Sequence, residues 1–327
     1  MRIAIDAMGG DNAPEEIIKG TLMAAEIWPE LHLILVGQQE RIQPFIAAPK
    51  LTNISLVEAS ERIGMDEHPA KAVRRKKDAS IVVATRLVKS GEANAVVSAG
   101  NTGAQMVAAL LGLGRIERIE RPAIATVLPT AEGGKLILDV GANLDASPLH
   151  LCQYALMGSI YAEKILGIPN PRVGLLNIGN EEGKGNELTQ KAYSLLKVAS
   201  VNFIGNVEGR DVPYGRADVV VCEGFVGNIL LKTAEGLAGA LFEQIKEKIT
   251  ATMIRKLGAL VVKPGLQDIA KMMDYAEYGG APLLGVNGIS IICHGSSRRK
   301  AIFNAIRVAR ECVQVRLIEQ IQEDLSK

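Results

Sequence analysis

Aromatic residues make up only 4% of the 327-residue chain, too few for the stacking surface that holds single-stranded nucleic acid. Neither sign of charge is in excess. The 37 Lys and Arg against 36 Asp and Glu give a formal net charge of +1, so no global field draws the chain to nucleic acid or to an anionic membrane. The four cysteines, Cys152, Cys222, Cys293 and Cys312, are scattered without a CxxC spacing. That usage suits reduced thiols in a cytosolic protein and supplies no metal-ligand set. No Gly-x-Ser-x-Gly elbow and no Gly-x-Gly-x-x-Gly fingerprint occurs, so neither an acyl-serine mechanism nor simple dinucleotide binding has positive support. No apolar run approaches the roughly 20 residues that span a bilayer. No charged segment precedes an apolar one at the start, so no signal peptide is expected.

What is present is a high apolar content, 48%, enough for a large core. Apolar runs of four to eight residues alternate with longer segments of helical period, the pattern of βαβ units. Strands are expected at 2–5, 31–36, 54–57, 95–98, 123–128, 135–139, 173–177, 202–204, 218–222 and 289–293. Helices are expected at 14–28, 70–89, 103–113, 148–166, 187–199, 226–250 and 297–322. No Pro/Gly/Ser-rich linker and no repeat interrupts them, so a single domain over 1–327 is expected. Short Gly/Asn loops follow five of the strands directly: 6–11, 98–103, 139–143, 177–187 and 222–228. In a parallel sheet these loops all lie at one edge, outside the carboxyl ends of the strands, where open α/β sheets bind ligands. Glycines there admit close approach of an anion to backbone N–H groups. The pattern predicts an enzyme that handles phosphate or another anion.

The loops name the candidate residues, each with a plainer alternative. Lys184 sits between Gly183 and Gly185, with Asn186 and Glu187 opening a helix. A lysine so placed suits phosphate or a developing oxyanion, or is a solvated lysine on an exposed turn. The loop falls one residue short of a nucleotide P-loop and lacks its Ser or Thr, which argues against ATP or GTP. Ser98, Gly100, Asn101, Thr102 and Gly103 could hold an anion through hydroxyls and amides, or form an ordinary helix cap. Asp139 and Asn143 could orient a lysine or satisfy turn amides. Asn228 could donate to a carbonyl or cap its helix. His294, in His294-Gly295-Ser296-Ser297, could face the same edge or simply turn the chain.

Two surface features remain. Arg74, Arg75, Lys76 and Lys77 form a basic run on an expected helix, and Arg298-Arg299-Lys300 form a second. Either could dock an acidic protein or be a solvated face. Leu230, Ala234, Leu237, Leu241 and Ile245 share one helical face. Met253, Ile254, Leu257, Leu260, Val261 and Val262 then cluster beside Arg255, Lys256 and Lys263. The segment 229–263 reads as an amphipathic hairpin for a dimer interface, a membrane surface, or both.

Taken in order, MRIAIDAMGGDNAP (1–14), SAGNTGA (98–104), LDVGANLDA (138–146), GNELT (185–189), FIGNVEG (203–209) and HGSS (294–297) resemble the bacterial phosphate acyltransferase (PlsX) family, nearly from end to end. One departure is Gly183, where related sequences can carry a second lysine. The resemblance implies a three-layer α/β/α sandwich like that of the phosphotransacetylases and isocitrate dehydrogenase-like proteins, without cofactor or metal. It implies transfer of a long-chain acyl group from acyl carrier protein to inorganic phosphate. The acyl phosphate would pass to a membrane glycerol-3-phosphate acyltransferase (PlsY-type) for phosphatidic acid synthesis. It implies a cytoplasmic homodimer peripherally bound to a membrane surface, with no nucleic acid partner. Lys184 and Asn228 map to residues thought to serve catalysis in such enzymes. Phosphate is assigned to Ser98–Gly103, with Asp139, Asn143, Asn186 and His294 as further binding candidates. Arg74–Lys77 would dock the carrier, and Leu257, Leu260 and Val261 would meet lipid. The competing readings are a short-chain phosphotransacetylase using acyl-CoA, a decarboxylating dehydrogenase of similar architecture, and a non-catalytic membrane scaffold.

Overall fold

A computed structural model describes residues 1–46, 51–130 and 132–325; the remaining positions of the expected 1–327 unit lie outside the described residues. Among the described residues eleven strands form one sheet: β1 (Arg2–Asp6), β2 (His32–Gly37), β3 (Ile54–Glu58), β4 (Ala95–Ser98), β5 (Ala123–Thr130), β6 (Gly133–Leu138), β7 (Arg172–Asn177), β8 (Asn202–Glu208), β9 (Val219–Val221), β10 (Ala281–Leu284) and β11 (Ile289–Ile292), in the order β3-β2-β1-β4-β11-β10-β5-β6-β9-β7-β8. Side chains alternate between the faces, as the pleat demands. On one face Ile3, Ile5, Val97, Ile291, Leu138, Val221 and Leu175 meet helices α1 (Glu15–Ile27), α6 (Pro148–Lys164), α7 (Glu187–Leu196), α11 (Arg299–Gln314) and α12 (Leu317–Leu325). On the other face Ala4 and Val96 meet α3 (Pro69–Arg75) and α4 (Ser80–Lys89), and Ile124, Ile137 and Val220 meet α5 (Thr102–Gly112) and the start of α8 (Gly224–Thr250). Helix, sheet and helix are therefore stacked in three layers, as the resemblance implied.

The direction of the strands is where the structure departs from expectation. β3, β2, β1, β4 and β11 are mutually parallel. β10 runs antiparallel to both β11 and β5, and β5 antiparallel to β6. β6, β9, β7 and β8 are parallel to one another. Three reversals lie between β11 and β6, so the two halves of the sheet point in opposite directions. The Gly/Asn loops accordingly leave from two opposite edges, and the expectation that they share one is corrected.

Other differences are local. The expected helix 70–89 is two helices, because the chain turns at Lys76–Ala79 so that Ser80 N can bond Glu61 O at 3.1 Å. The expected helix 297–322 breaks at Arg316, which takes a left-handed φ of 54°. Helix α2 (Gln39–Ile46), polar and holding Pro44, and strand β10 were not expected. The amphipathic segment forms a helical pair, α8 with α9 (Met253–Met272). Only Gly224 and Gly227 of α8 are buried, and no residue of α9 is. Among the described residues α8 alone is long and apolar enough, by composition, to cross a membrane. Lys232 and Glu235 interrupt it, which is why no continuous run shows in the sequence.

Candidate active site

Carboxyl ends of β6, β9 and β7 are neighbours, so the loops 139–143, 222–228 and 177–187 emerge side by side. Asp139 organises the first of them. Its fully buried carboxylate accepts N–H bonds at Oδ1 from Ile124 (3.1 Å), Gly141 (3.0 Å) and Ala142 (2.9 Å), and at Oδ2 from the Asn143 backbone (2.8 Å) and Asn143 Nδ2 (3.0 Å). Burial pushes its pKa up, against the pull of these donors. The Asn143 amide also donates to Pro122 O (2.6 Å) and Tyr154 Oη (2.8 Å). Gly224 N bonds Asn143 O at 2.9 Å, so α8 begins on this loop. Gly227 presses against the Asp139 carbonyl and Cys222 Sγ, leaving no room for a Cβ. One turn into α8, Asn228 Nδ2 gives one N–H to Val140 O at 3.0 Å. Its second N–H meets no acceptor among the described residues.

The Lys184 loop is shaped by side-chain amides. Asn177 Nδ2 donates to Lys184 O (3.1 Å), Gln190 Nε2 to Gly183 O (2.9 Å) and Asn206 Nδ2 to Glu181 O (2.7 Å). Gly185 has φ +94° and crowds Thr189 and Asn177, so only glycine fits there. Asn186 is the N-cap of α7, accepting from Thr189 N at 3.0 Å. Lys184 itself is exposed, and its ammonium has no ion pair among the described residues.

A cavity of about 670 Å³ opens under the 139–143 loop, lined by Met106, Leu110, Arg115, Glu120, Arg121, Pro122, Ala142, Asn143 and His150. His150 Nδ1 accepts from Ser147 N (3.0 Å) in a capping box, so its proton belongs on Nε2, 2.9 Å from Glu120 Oε2. Arg115 donates to the Glu120 carbonyl. Arg121 has no acceptor among the described residues, yet its charge is felt at the Tyr154 phenol, where it opposes the upward push of burial and Asp139. Sequence reasoning missed Arg115 and Arg121. The run Arg115-Ile116-Glu117-Arg118-Ile119-Glu120-Arg121-Pro122 carries alternating charges and leads into a strand, which reads as a solvated connection.

The remaining candidates stand at the other edge. Buried Asp6 accepts from Ser98 Oγ at 2.6 Å, and Ser98 Oγ in turn accepts from Gly100 N at 3.0 Å. Burial raises the Asp6 pKa, and the Ser80 and Ser98 hydroxyls oppose it. Asn101 caps α5 by accepting from Ala104 N (3.0 Å), and its Nδ2 is shared among the carbonyls of Gly64, Met65 and Glu67. The side chains of Ser98 and Asn101, expected to hold phosphate, are thus engaged in holding the chain. The backbone amides and exposed Thr102 remain. Gly103 lies against Pro69. Exposed His294 has Nδ1 2.8 Å from Ser296 Oγ. The Asn101 clip and the packing of α3 on α5 bring segment 64–67 and the helix that carries Arg74 and Arg75 against the start of α5. Lys76 is bound to Glu67 at 2.6 Å; Arg74, Arg75 and Lys77 are exposed. In the second basic run Arg299 is held by Glu16 and Lys300 by Asp274 and Glu277. β4 and β9 are five positions apart in the sheet, roughly 24 Å at about 4.8 Å per step. One chain therefore cannot set loop 98–103 and the pair Lys184 and Asn228 around a single phosphate.

The layered sheet, with its three central reversals, is the phosphotransacetylase fold: the chain superposes on a phosphotransacetylase from Streptococcus pyogenes with a TM-score of 0.64, covering 96% of this chain and 94% of that one at 17% identity. Residues 1–320 match the family described as fatty acid synthesis protein. A phosphate acyltransferase of Desulfitobacterium hafniense (strain DSM 10664 / DCB-2) is 71% identical over 100% of this chain and 98% of its own length. One from Heliobacterium modesticaldum is 62% identical over 99% and 98%. The chain belongs to the phosphate acyltransferase family and is an acyltransferase.

Proposed function

We propose that the chain transfers a long-chain acyl group from acyl carrier protein to inorganic phosphate, by direct attack of phosphate on the thioester. A phosphate oxygen bonds to the carbonyl carbon, the tetrahedral oxyanion collapses, and the C–S bond breaks to release the carrier thiol and acyl phosphate. Lys184 supplies positive charge to the phosphate and oxyanion, and the second N–H of Asn228 donates to the thioester oxygen. The observation that carries this reading is the Lys184 ammonium, without an ion pair among the described residues, on the same edge as Asn228. The thiols speak against a covalent cysteine route. Burial pushes Cys152 up to about 11 and Cys293 to about 12, and raises Cys222 and Cys312 as well, whereas a nucleophilic thiol needs a lowered pKa.

A homodimer completes the proposal. In a two-fold pair, loop 98–103 and the basic patch Arg74, Arg75 and Lys77 of one copy can face Lys184 and Asn228 of the other. Phosphate then meets the amides of the loop, and the acidic carrier docks on the patch. The exposed Leu237, Leu241 and Ile245 of α8 favour such pairing. Leu257, Leu260 and Val261 on α9, beside Arg255, Lys256 and Lys263, favour peripheral seating of a cytoplasmic enzyme on a membrane. There the acyl phosphate reaches a glycerol-3-phosphate acyltransferase. The test is phosphate-dependent release of carrier thiol with acyl phosphate trapped by hydroxylamine. Lys184→Ala is expected to lower turnover by about 10²–10³ with the fold intact; near-normal turnover rejects the assignment, and activity on acetyl-CoA alone moves it to a short-chain enzyme.

A further inference from the structure

We infer that the cavity under the 139–143 loop seats the phosphopantetheine arm of the acyl donor, with Arg121 holding its phosphodiester. The inference rests on the proposed thioester substrate and adds where the donor's arm lies. Four observations carry it. First, the cavity, about 670 Å³, lies within the roughly 300–1,000 Å³ of small-molecule sites. It far exceeds the needs of inorganic phosphate, an ion comparable to a few waters of about 30 Å³ each. Second, its lining is of two kinds. Met106, Leu110 and Ala142 form an apolar wall, while Arg115 and Arg121 bring two guanidinium groups. A flexible arm with a single phosphate at one end fits that division.

Third, the charges are unequally committed. Glu120, the acid of the lining, is held by His150, and Arg115 is tied to the Glu120 carbonyl. Arg121 is left without an acceptor among the described residues, on the same cavity lining as Asn143. A guanidinium so placed matches two phosphodiester oxygens. Fourth, the cavity shares a wall with the transfer site. Ala142 and Asn143 line it, while Asn228 donates to Val140 and abuts Gly141 on the same loop. An arm anchored at Arg121 and laid along the apolar wall can therefore bring its thioester to Asn228.

The experiment uses the full chain and two soluble probes, 4′-phosphopantetheine and pantetheine, with binding measured by calorimetry. Arg121→Ala is expected to weaken phosphopantetheine about 10- to 100-fold and to leave pantetheine, and the KM for inorganic phosphate, unchanged. The KM for acyl carrier protein should rise by a similar factor. Equal affinity of both probes for the wild type overturns the proposal. So does a rise confined to the KM for inorganic phosphate, which would make the cavity the acceptor site. An effect seen with acyl-coenzyme A but absent with the acyl carrier overturns the assignment to the carrier's arm. The two readings fail separately: phosphopantetheine binding that depends on Arg121, without acyl phosphate formation, sinks the proposed reaction and keeps the seat.

Discussion

Asp139→Asn is the sharpest test of how the proposed transfer site is held. The substitution keeps size and shape but turns one acceptor oxygen into a donor. Set at the Oδ1 position, the new NH2 meets three backbone N–H groups, those of Ile124, Gly141 and Ala142; at Oδ2 it meets the two N–H groups of Asn143. The amide will choose the second and lose two hydrogen bonds to a charged group, each worth about 1.5–3 kcal/mol. Asn143 is half-buried, and water recovers part of that loss, so we expect about 3 kcal/mol of destabilisation. For a chain of this size that lowers Tm by roughly 6 °C, at about 2 °C per kcal/mol. The loop also carries the Val140 carbonyl that orients Asn228 and the Asn143 carbonyl on which α8 starts. Turnover by the folded protein should therefore fall at least about 10²-fold, as when a preorganised donor is lost. Calorimetry and the hydroxylamine-trap assay measure the two effects on one preparation. A variant with unchanged Tm and unchanged turnover would refute the role given to the carboxylate. A lowered Tm with full turnover would refute only its coupling to Asn228.

Asp218 provides the contrast, since it sits at the start of β9, away from the transfer edge. It is bound by Lys135 at 2.7 Å and by Arg172 at 2.9 Å. Burial alone would raise its pKa, but the hydrogen bonds from Arg172 and Lys135 outweigh it and hold the carboxyl well below the usual range. A depressed folded pKa stabilises above the unfolded value near about 3.9 and is lost as pH falls through the folded one. Asp218→Asn should thus cost about 3 kcal/mol at neutral pH, with turnover per folded molecule preserved. The gap in Tm to the wild type should narrow below about pH 4; a gap constant from pH 7 to 3 contradicts the ion-pair account. On α9, Leu257→Glu with Val261→Glu should abolish co-sedimentation with phosphatidylglycerol-containing vesicles, since each exposed apolar side chain contributes about 1.5–3 kcal/mol on burial. Turnover of soluble substrates should be kept, and retained vesicle binding rejects the lipid contact.

Much of the fold was legible because buried strands write themselves as apolar runs: Ile3–Ile5, Leu33–Val36, Val96–Val97 and Val219–Val221 stand out between amphipathic helices. Direction was not legible, because a strand buried on both faces reads the same whichever way it runs. One clue was nonetheless present. The runs that became β5 and β6 are separated by too few residues for a crossover, which needs a dozen or more, so they had to form a hairpin. That reversal sends the loops of the second half to the far edge. The helix breaks at Lys76–Ala79 and at Arg316 lack Gly and Pro, and periodicity ran through them. For the site, glycine and asparagine marked the loops, but hydrogen-bond partners decide what a side chain is free to do. Asn101 and Lys184 are both candidates in sequence; one is consumed by four neighbours, and the other has no ion pair among the described residues. Arg121 had no marker, since the cavity it lines is made by residues distant in sequence, from α5, the loop after β6 and α6.

Helix α8 starts on the Asn143 carbonyl, carries Asn228 in its first turns, and runs unbroken to Thr250. From Asn228 to its far end is roughly 33 Å at 1.5 Å per residue. A rod of that kind is a ruler. Whatever the outer end of the helical pair rests upon, the end that carries Asn228 is joined to it by one unbroken helix, which sets its stand-off.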